Sequence, residues 1–93
     1  MADRQIFKFE FTDTEGSHKF EVPGVEPVVL SVGEQKGTLY MWVEFEPSHI
    51  HRRFRVYVAY TGRPYWRGVF WRFVSTVMLK NEMVIHVWQE ERS

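Results

Sequence analysis

The segment from Gly62 to Arg72 combines arginine with aromatic residues more densely than the rest of the chain. Its candidate binding side chains are Arg63, Tyr65, Trp66, Arg67, Phe70, Trp71 and Arg72. Tryptophan, tyrosine and arginine are enriched at binding hot spots, and binding residues often lie on loops held by a rigid scaffold. We therefore predict that this segment, the aromatic loop (residues 62–72), binds a partner. The alternative is that Trp66, Phe70 and Trp71 fold inward and plug one end of a β-barrel, while the arginines extend to water.

The formal net charge is zero, but charge is distributed very unevenly along the chain. Residues 1–46 carry nine acids and four bases (net −5), residues 47–81 carry no acid and seven bases (net +7), and residues 82–93 carry three acids and one base (net −2). Six of the seven central cations are arginine, which pairs bidentately with carboxylate or phosphate and stacks on aromatic rings. We expect a partner that is acidic where it contacts this region.

A second basic surface is predicted on the stretch from Arg52 to Thr61, where Arg53, Arg55 and Tyr57 alternate onto one face of a strand. Such a face could follow phosphates or an acidic partner. The alternative, which we favour, is that these arginines form cross-strand pairs with Glu44 and Glu46 of the preceding strand. Each exposed pair of this kind contributes only a few tenths to about 1 kcal/mol.

The residues that could support catalysis or metal binding are few. His49 and His51 are two residues apart and could face the same way, but zinc normally requires three or four ligands, and only the distant His18 and His86 remain. The chain has no cysteine, no G-x-S-x-G elbow, no phosphate-binding glycine loop and no H-E-x-x-H motif. We predict no metal site, no cofactor and no enzymatic activity.

Alternation of apolar and polar residues predicts an all-β fold. The first predicted hairpin pairs the strand of Phe7, Phe9 and Phe11 with that of Phe20 and Val22, across a turn at residues 13–17. The second joins residues 27–35 to 38–46 through Lys36 and Gly37, Pro47 ends that fourth strand, and residues 52–61 follow as a fifth. The last joins residues 72–79 to 83–89 at Asn81 and Glu82. We predict a single domain (residues 1–93), a small antiparallel barrel or sandwich of about seven strands joined by mostly sequential hairpins.

Two of the predicted strands are apolar on both sides. Trp42 and Tyr40 lie opposite Leu39 and Met41, and Trp88 alternates with Ile85 and Val87. Either the domain covers both faces itself, which we favour, or one face contacts a partner or a second copy of the chain.

The length, hydropathy pattern and composition limit the cellular setting. Ninety-three residues form one small core. No apolar window approaches the ~18 residues needed to cross a bilayer, and charged residues interrupt any signal-like stretch near the start. Together with the lack of cysteine, this predicts a protein of a reducing cytoplasm.

A series of short motifs runs nearly from end to end of the chain: Ile6-x-Lys8-x-Glu10, Glu21-x-Pro23, Leu30-x-Val32-x-x-Gln35-x-Gly37, Trp42, Arg52-Arg53-Phe54-Arg55-Val56, Thr61-Gly62-x-Pro64, Phe73-Val74-x-Thr76-Val77 and Val84-x-His86-Val87-Trp88. In this order the motifs resemble those of a family of uncharacterised short proteins found in actinobacteriophage genomes and some actinobacterial hosts. The chain departs from the family pattern at Arg63, where the family is often histidine-like, and at Ser75, where glycine is commoner. The resemblance implies a phage setting and an all-β fold, and it supplies no catalytic residues.

These observations favour a non-enzymatic phage-type protein that binds a host protein in the cytoplasm of the infected bacterium and modulates a host process, such as host takeover, growth inhibition or superinfection exclusion. A DivIVA-type scaffold of polar growth or division is one candidate partner. The alternative is a small β-barrel that binds single-stranded nucleic acid, with arginines on phosphates and aromatic rings stacked on bases. An enzyme is the third reading. A homodimer is also compatible with the sequence.

Overall fold

The computed structural model describes residues 3–91 and confirms the all-β prediction. Its strands are β1 (Gln5–Glu10), β2 (Gly16–Gln35), β3 (Thr38–Tyr60), β4 (Trp71–Met78) and β5 (Val84–Glu90), and no helix occurs within the described residues. All pairings are antiparallel. The sheet contains five strands where about seven were predicted, because two pairs of predicted strands are continuous.

The long strand β3 organises the sheet. It pairs with β1 through residues 40–45, with β5 through residues 56–60, and with β2 along nearly its whole length. β4 adds to the free side of β5. We call β1, residues 25–35 of β2 and residues 38–46 of β3 the first part of the sheet, and residues 16–24 of β2, residues 52–60 of β3, β4 and β5 the second part. Backbone pairing does not close the sheet into a barrel.

The prediction that Pro47 ends a strand is wrong, and a bulge explains why. Gly24 lies opposite Pro47 and Val22 lies opposite Arg52, so the four residues 48–51 of β3 are accommodated against a single residue of β2. Proline is tolerated at such irregularities because the missing N–H interrupts no regular ladder there. The strand therefore continues through Pro47, and its exposed bulge carries His49, Ile50 and His51.

Two of the three predicted hairpins are confirmed, and the first is wrong. Lys36 (φ 51°) and Gly37 (φ 82°) join β2 to β3 with positive φ at both positions, as a two-residue type I′ turn requires. The last hairpin turns at the predicted Asn81 and Glu82. β1, however, pairs with β3 rather than with β2. The aromatic side chains of β1 still meet those of β2 through the core, since the Phe9 and Phe20 rings are 5.6 Å apart.

The inner faces of the two parts enclose one hydrophobic core. Its fully buried side chains include Met41, Val43 and Phe45 from the first part and Val56, Val58, Ile85 and Val87 from the second. In the first part these residues alternate with partly exposed ones, whereas in the second part Ala59 and Trp88, which alternate with them, are buried on the outer face. The core therefore stabilises both parts together.

A buried glutamine joins the two parts where no backbone pairing does. The Val29 N–H donates to Gln89 Oε1 (2.8 Å), and Gln89 Nε2 donates to the Pro27 carbonyl oxygen (2.7 Å). Arg72 Nη2 also donates to Gln89 Oε1 (2.9 Å). Gln89 is only 4% exposed. Its side chain thus satisfies backbone groups of β2 in the stretch where the β2 and β3 register is irregular.

Candidate partner-binding site

The aromatic loop folds back over the outer face of the second part of the sheet. The Tyr65 ring stacks on Trp88 at a centroid distance of 5.0 Å and an interplanar angle of 23°. Tyr57 packs edge-on against Trp71 at 5.7 Å. Trp71 and Trp88 are buried, together with Ala59, in a cluster separate from the main core. The prediction that the domain itself covers Trp88 is therefore confirmed.

Gly68 allows the loop to approach this cluster closely. A Cβ atom at position 68 would overlap the indole ring of Trp71. Any other residue would have to push the loop away from the sheet or displace the indole. The contact fixes the middle of the loop above Trp71.

Both ends of the loop are also held. At its start, Arg63 Nη1 forms an ion pair with Glu15 Oε1 (2.9 Å), and its guanidinium lies 5.1 Å from the Tyr60 ring centroid. The Tyr60 hydroxyl is hydrogen-bonded to Thr14. At its end, the Glu91 N–H donates to the Phe70 carbonyl oxygen (2.6 Å). These contacts fix both ends of the loop on the sheet.

The loop has an inner and an outer layer. Tyr65, Gly68 and Trp71 form the inner layer against the sheet. The outer layer consists of Trp66 (69% exposed), Arg67, Val69 (93% exposed) and Phe70 (60% exposed). Arg67 forms no hydrogen bond or ion pair with the residues that the structure describes. Trp71 is buried as the plug alternative expected, but in the cluster under the loop and not at the end of a barrel, and Trp66 and Phe70 are exposed.

Arg72 lies apart from the outer layer. It is half-buried, forms an ion pair with Glu91 (Nε to Oε2, 3.3 Å) and donates to the Val29 carbonyl oxygen (3.3 Å) as well as to Gln89. These contacts place Arg72 in the connection between the two parts of the sheet.

Val69 is an exposed residue of the loop that the sequence prediction did not include. Its position directly after the loop glycine Gly68, as a large apolar residue, is the sequence feature that marks it.

The second basic surface has different partners from those expected. Arg53 pairs with Glu21 of β2 (3.5 Å), while Glu44 is held by Arg4 (3.0 Å). Pairing of the arginines with Glu44 and Glu46 is wrong, because the two predicted strands are consecutive stretches of β3 and cannot lie side by side. Arg55 is half-buried and has no ion pair within residues 3–91, and Tyr57 belongs to the cluster under the loop.

On the outer face of the first part of the sheet, the side chain of Lys8 lies over two aromatic rings. Lys8 Nζ lies 4.0 Å from the Tyr40 ring centroid and 5.9 Å from that of Trp42, and it donates to Gln35 Oε1 (2.7 Å). Tyr40 and Trp42 are half-buried as a result. The lysine spans β3 from β1 to β2 and shields the aromatic rings through its aliphatic stem and its charge.

Two histidines, His86 and His51, are within hydrogen-bond distance of side-chain oxygens of neighbouring strands. His86 lies between two hydroxyls, with Nε2 2.7 Å from Thr61 Oγ1 and Nδ1 2.9 Å from Thr76 Oγ1. His51 Nδ1 lies 3.1 Å from Glu21 Oε2. No group of three or more His, Cys, Asp or Glu side chains within residues 3–91 is arranged to hold a metal ion. Across the same residues, no helix is long and apolar enough to cross a membrane.

His18 is a half-buried histidine in an aromatic environment. Its ring lies 5.2 Å from Phe11 and 6.4 Å from Phe20, and its Nε2 atom has no hydrogen-bond partner among the described residues. Burial lowers the pKa of His18 below 6.5, although Asp13 and a backbone hydrogen bond to Glu15 oppose the shift. The neutral imidazole is therefore the form that the fold favours.

The chain belongs to a family described as a domain of unknown function (DUF7352), which matches residues 2–93. This confirms the resemblance to an uncharacterised family at that level. A search of the curated proteins found no match, and neither did a search of the solved structures.

Proposed function

We propose that this chain is a non-enzymatic, phage-type protein that binds a host protein through the outer layer of the aromatic loop and thereby modulates a host process. The observation that carries the proposal is the exposure of Trp66, Val69 and Phe70 within five consecutive residues of a loop whose inner layer is packed on the sheet. Exposed apolar side chains on a preorganised loop are typical of binding surfaces, because little conformational entropy is lost on association.

The charge around the loop supports an acidic contact surface on the partner. Arg67 and Arg55 lack ion pairs within residues 3–91, whereas Arg63 and Arg53 already have carboxylate partners in Glu15 and Glu21. We expect Arg67 to provide the main charged contact, and Arg55 a secondary one. Carboxylates on the partner would form ion pairs with these two arginines.

The phage setting and the host process rest on the ordered motifs from Ile6 to Trp88 that resemble actinobacteriophage proteins. A protein of this kind would act in the cytoplasm of the infected cell. A DivIVA-type polar growth or division scaffold is one candidate partner that can be tested directly with purified protein.

The test compares two matched double variants in a pull-down from nuclease-treated actinobacterial lysate. Trp66→Ser, Arg67→Glu removes one exposed aromatic side chain and reverses one unpaired charge in the outer layer. Met78→Ser, Lys36→Glu changes an exposed apolar residue of β4 and an exposed cation of the turn between β2 and β3, neither of which belongs to the aromatic loop. Arg63 is left unchanged, because its substitution would release the loop from Glu15. Both variants must show the near-ultraviolet circular dichroism of the natural chain.

We expect one discrete host protein to be retained by the natural chain and by the Met78, Lys36 variant, and to be lost by the Trp66, Arg67 variant. The retained protein is then purified, and its affinity for all three chains is measured by calorimetry. Equal retention by all three chains would overturn the assignment to the outer layer.

Single-stranded nucleic-acid binding is the competing function, and the same exposed aromatic side chain beside Arg67 favours it, since bases stack on such rings. It is measured by quenching of tryptophan fluorescence with an oligothymidylate at low and high salt. Saturable quenching that weakens steeply with salt and disappears in the Trp66, Arg67 variant would replace host-protein binding as the proposed function.

A further inference from the structure

A groove of about 380 Å³ opens at the end of the core away from the Lys36–Gly37 turn. It lies between the irregular stretch of β2 around Pro27, the part of β3 that follows the bulge, and the end of β5. This volume falls within the range of roughly 300–1,000 Å³ that is usual for small-molecule sites. The aromatic loop contributes only Arg72 to its walls.

One side of the groove is apolar. Val25, Pro27 and Val28 of β2 and Phe54 of β3 line it. Val28 is 36% exposed. An occupant with an apolar body would remove this surface from water.

Two charged residues of the groove, Arg52 and Glu90, form no ion pair within residues 3–91, and the others are paired. Arg72 pairs with Glu91, and Glu26 lies 3.8 Å from Arg4. Arg53 pairs with Glu21. Arg52 also lines the groove, but its guanidinium forms no hydrogen bond or ion pair with any residue in the described range 3–91. A planar guanidinium in this state can bind a carboxylate through two parallel hydrogen bonds.

The acids in the lining limit the charge of the occupant. Glu26, Glu90 and Glu91 all lie at the groove, so a dianion would be repelled more strongly than a monoanion. An apolar wall, one unpaired arginine and nearby carboxylates together fit a ligand with one negative charge and an apolar body. We propose that this groove binds a small organic monocarboxylate, with its carboxylate on Arg52 and its apolar body on Val25, Pro27, Val28 and Phe54.

The proposal is tested by titrating the full chain with hexanoate, hexanol, hexyl phosphate and acetate while following backbone amide shifts. We expect saturable shifts at Val25, Val28 and Gln89 with hexanoate. Hexanol lacks the charge, hexyl phosphate carries more negative charge, and acetate lacks the apolar body, so all three should bind more weakly. Amide shifts in residues 65–70 should not change, which separates this site from the aromatic loop.

Two variants locate the charge contact. Arg52→Gln should weaken hexanoate binding about tenfold, since a factor of ten corresponds to roughly 1.4 kcal/mol and hydrogen bonds to charged groups contribute at least about that much. Lys19→Gln, which removes an exposed cation outside the groove, should leave the affinity within about twofold, because exposed charges that far from a ligand are largely screened. Amide spectra confirm that both variants are folded.

Several outcomes would overturn the proposal. They are the absence of saturable shifts with hexanoate, equal binding of hexanol, tighter binding of hexyl phosphate, and unchanged affinity in Arg52→Gln. A result in which Lys19→Gln weakens binding as much as Arg52→Gln would show nonspecific attraction by net charge, and it would also overturn the assignment to Arg52.

Discussion

Each part of the sheet carries tryptophan on its outer face, and the two faces are covered in different ways. In the first part, Trp42 lies beside Tyr40 under the side chain of Lys8, which reaches from β1 to Gln35. In the second part, Trp88 lies under Tyr65, which belongs to a loop held at both ends and in the middle. One lysine leaves Trp42 half-buried, and the loop leaves Trp88 only 7% exposed.

The comparison separates what the loop does for stability from what it offers to a partner. Covering Trp88 requires the inner layer, namely Tyr65, Gly68 and Trp71. It does not require Val69, which is 93% exposed, or the 69% of Trp66 that faces solvent. The first part shows that an outer face can be stable with far less cover. The outer layer is therefore the portion of the loop that folding does not explain, and binding is the function that would explain it.

The largest expected effect is the loss of the platform beneath the loop. Trp88→Ala should lower the free energy of unfolding by about 3–5 kcal/mol, because a buried indole and its stacking on Tyr65 are both removed. Trp42→Ala should cost less, since its side chain is more exposed than that of Trp88. Urea unfolding of both variants measures the difference. Equal losses of unfolding free energy would mean that Trp42 under Lys8 and Trp88 under the aromatic loop stabilise the chain equally.

Gln89→Leu should produce the next largest effect. The substitution leaves the Val29 N–H and the Pro27 carbonyl without their partner, and an unsatisfied buried group costs about 1–3 kcal/mol. Gln35→Leu is the control, because that exposed glutamine only accepts a hydrogen bond from Lys8. Similar unfolding midpoints for the two variants would show that the buried connection between the two parts is dispensable.

Acidification should weaken the core that both parts share. The pKa of His18 is lowered in the folded chain by burial, whereas in the unfolded chain it keeps its ordinary value of 6.5. Above pH 6.5 both states are neutral at this ring, and the stability is fully present. As the pH falls through 6.5 the unfolded chain binds the proton first, so the stability declines until the lowered pKa of the folded chain is reached.

The pH effect is measured by urea unfolding at a series of pH values. His18→Gln should show a smaller decline between neutral and acidic pH, and His49→Gln, in the exposed bulge, should retain the decline of the natural chain. The ring is only half-buried, so we expect a smaller effect than that of Gln89→Leu. An unchanged pH profile in His18→Gln would assign the decline to other groups.

Lys8→Ala tests the cover of the first part. Its contacts with Tyr40 and Trp42 are exposed, and such cation–π contacts contribute about 0.5–1 kcal/mol. Unfolding by urea should show a loss of that size, with increased quenching of Trp42 by acrylamide. Lys19→Ala, which lacks an aromatic neighbour of this kind, is the matched control. A larger loss would mean that Lys8 is a main determinant of the first part.

The smallest stability effect is expected at the outer layer of the loop. Trp66→Ser should change the free energy of unfolding by no more than about 0.5 kcal/mol, as is usual for exposed positions, and yet it should weaken the binding of the host partner. The stability effects of Trp66→Ser and Trp88→Ala therefore give the clearest test of the difference between the exposed and the buried aromatic side chains. If Trp66→Ser destabilises the chain as Trp88→Ala does, the two-layer description of the loop fails.

Local features of the fold were predictable from the sequence, and the choice of strand partners was not. Alternation identified the strands, and Lys36-Gly37 identified a tight turn because it is a short polar connection between two apolar runs. Partner choice depends on contacts distant in sequence. Nothing local to Phe7–Phe11 distinguishes pairing with β2 from pairing with β3. Pro47 was misread because its effect depends on whether the opposite strand is in regular register there.

The candidate site was predictable in position but not in orientation. Arginine and aromatic types marked residues 62–72, and alternation correctly placed Arg53, Arg55 and Tyr57 on one face. Sequence could not divide the loop into layers, since Trp66 and Trp71 are the same residue type in similar surroundings. Trp71 is buried because it begins β4 and packs under Gly68, whereas Trp66 packs only its edge against Trp71 and stays 69% exposed.

The length of β3 has a consequence for the order in which the chain folds. β1 and β5 both pair with β3, and β4 pairs only with β5. The hairpin of β2 and β3 is the one pairing that can grow outward residue by residue from a two-residue turn, with little loop entropy to overcome at each step. β1 must therefore wait until residues 40–45 have been made, although it is the first strand to be synthesised. We expect folding to begin at the Lys36–Gly37 turn, with β1 and β5 then adding to β3 and β4 adding to β5.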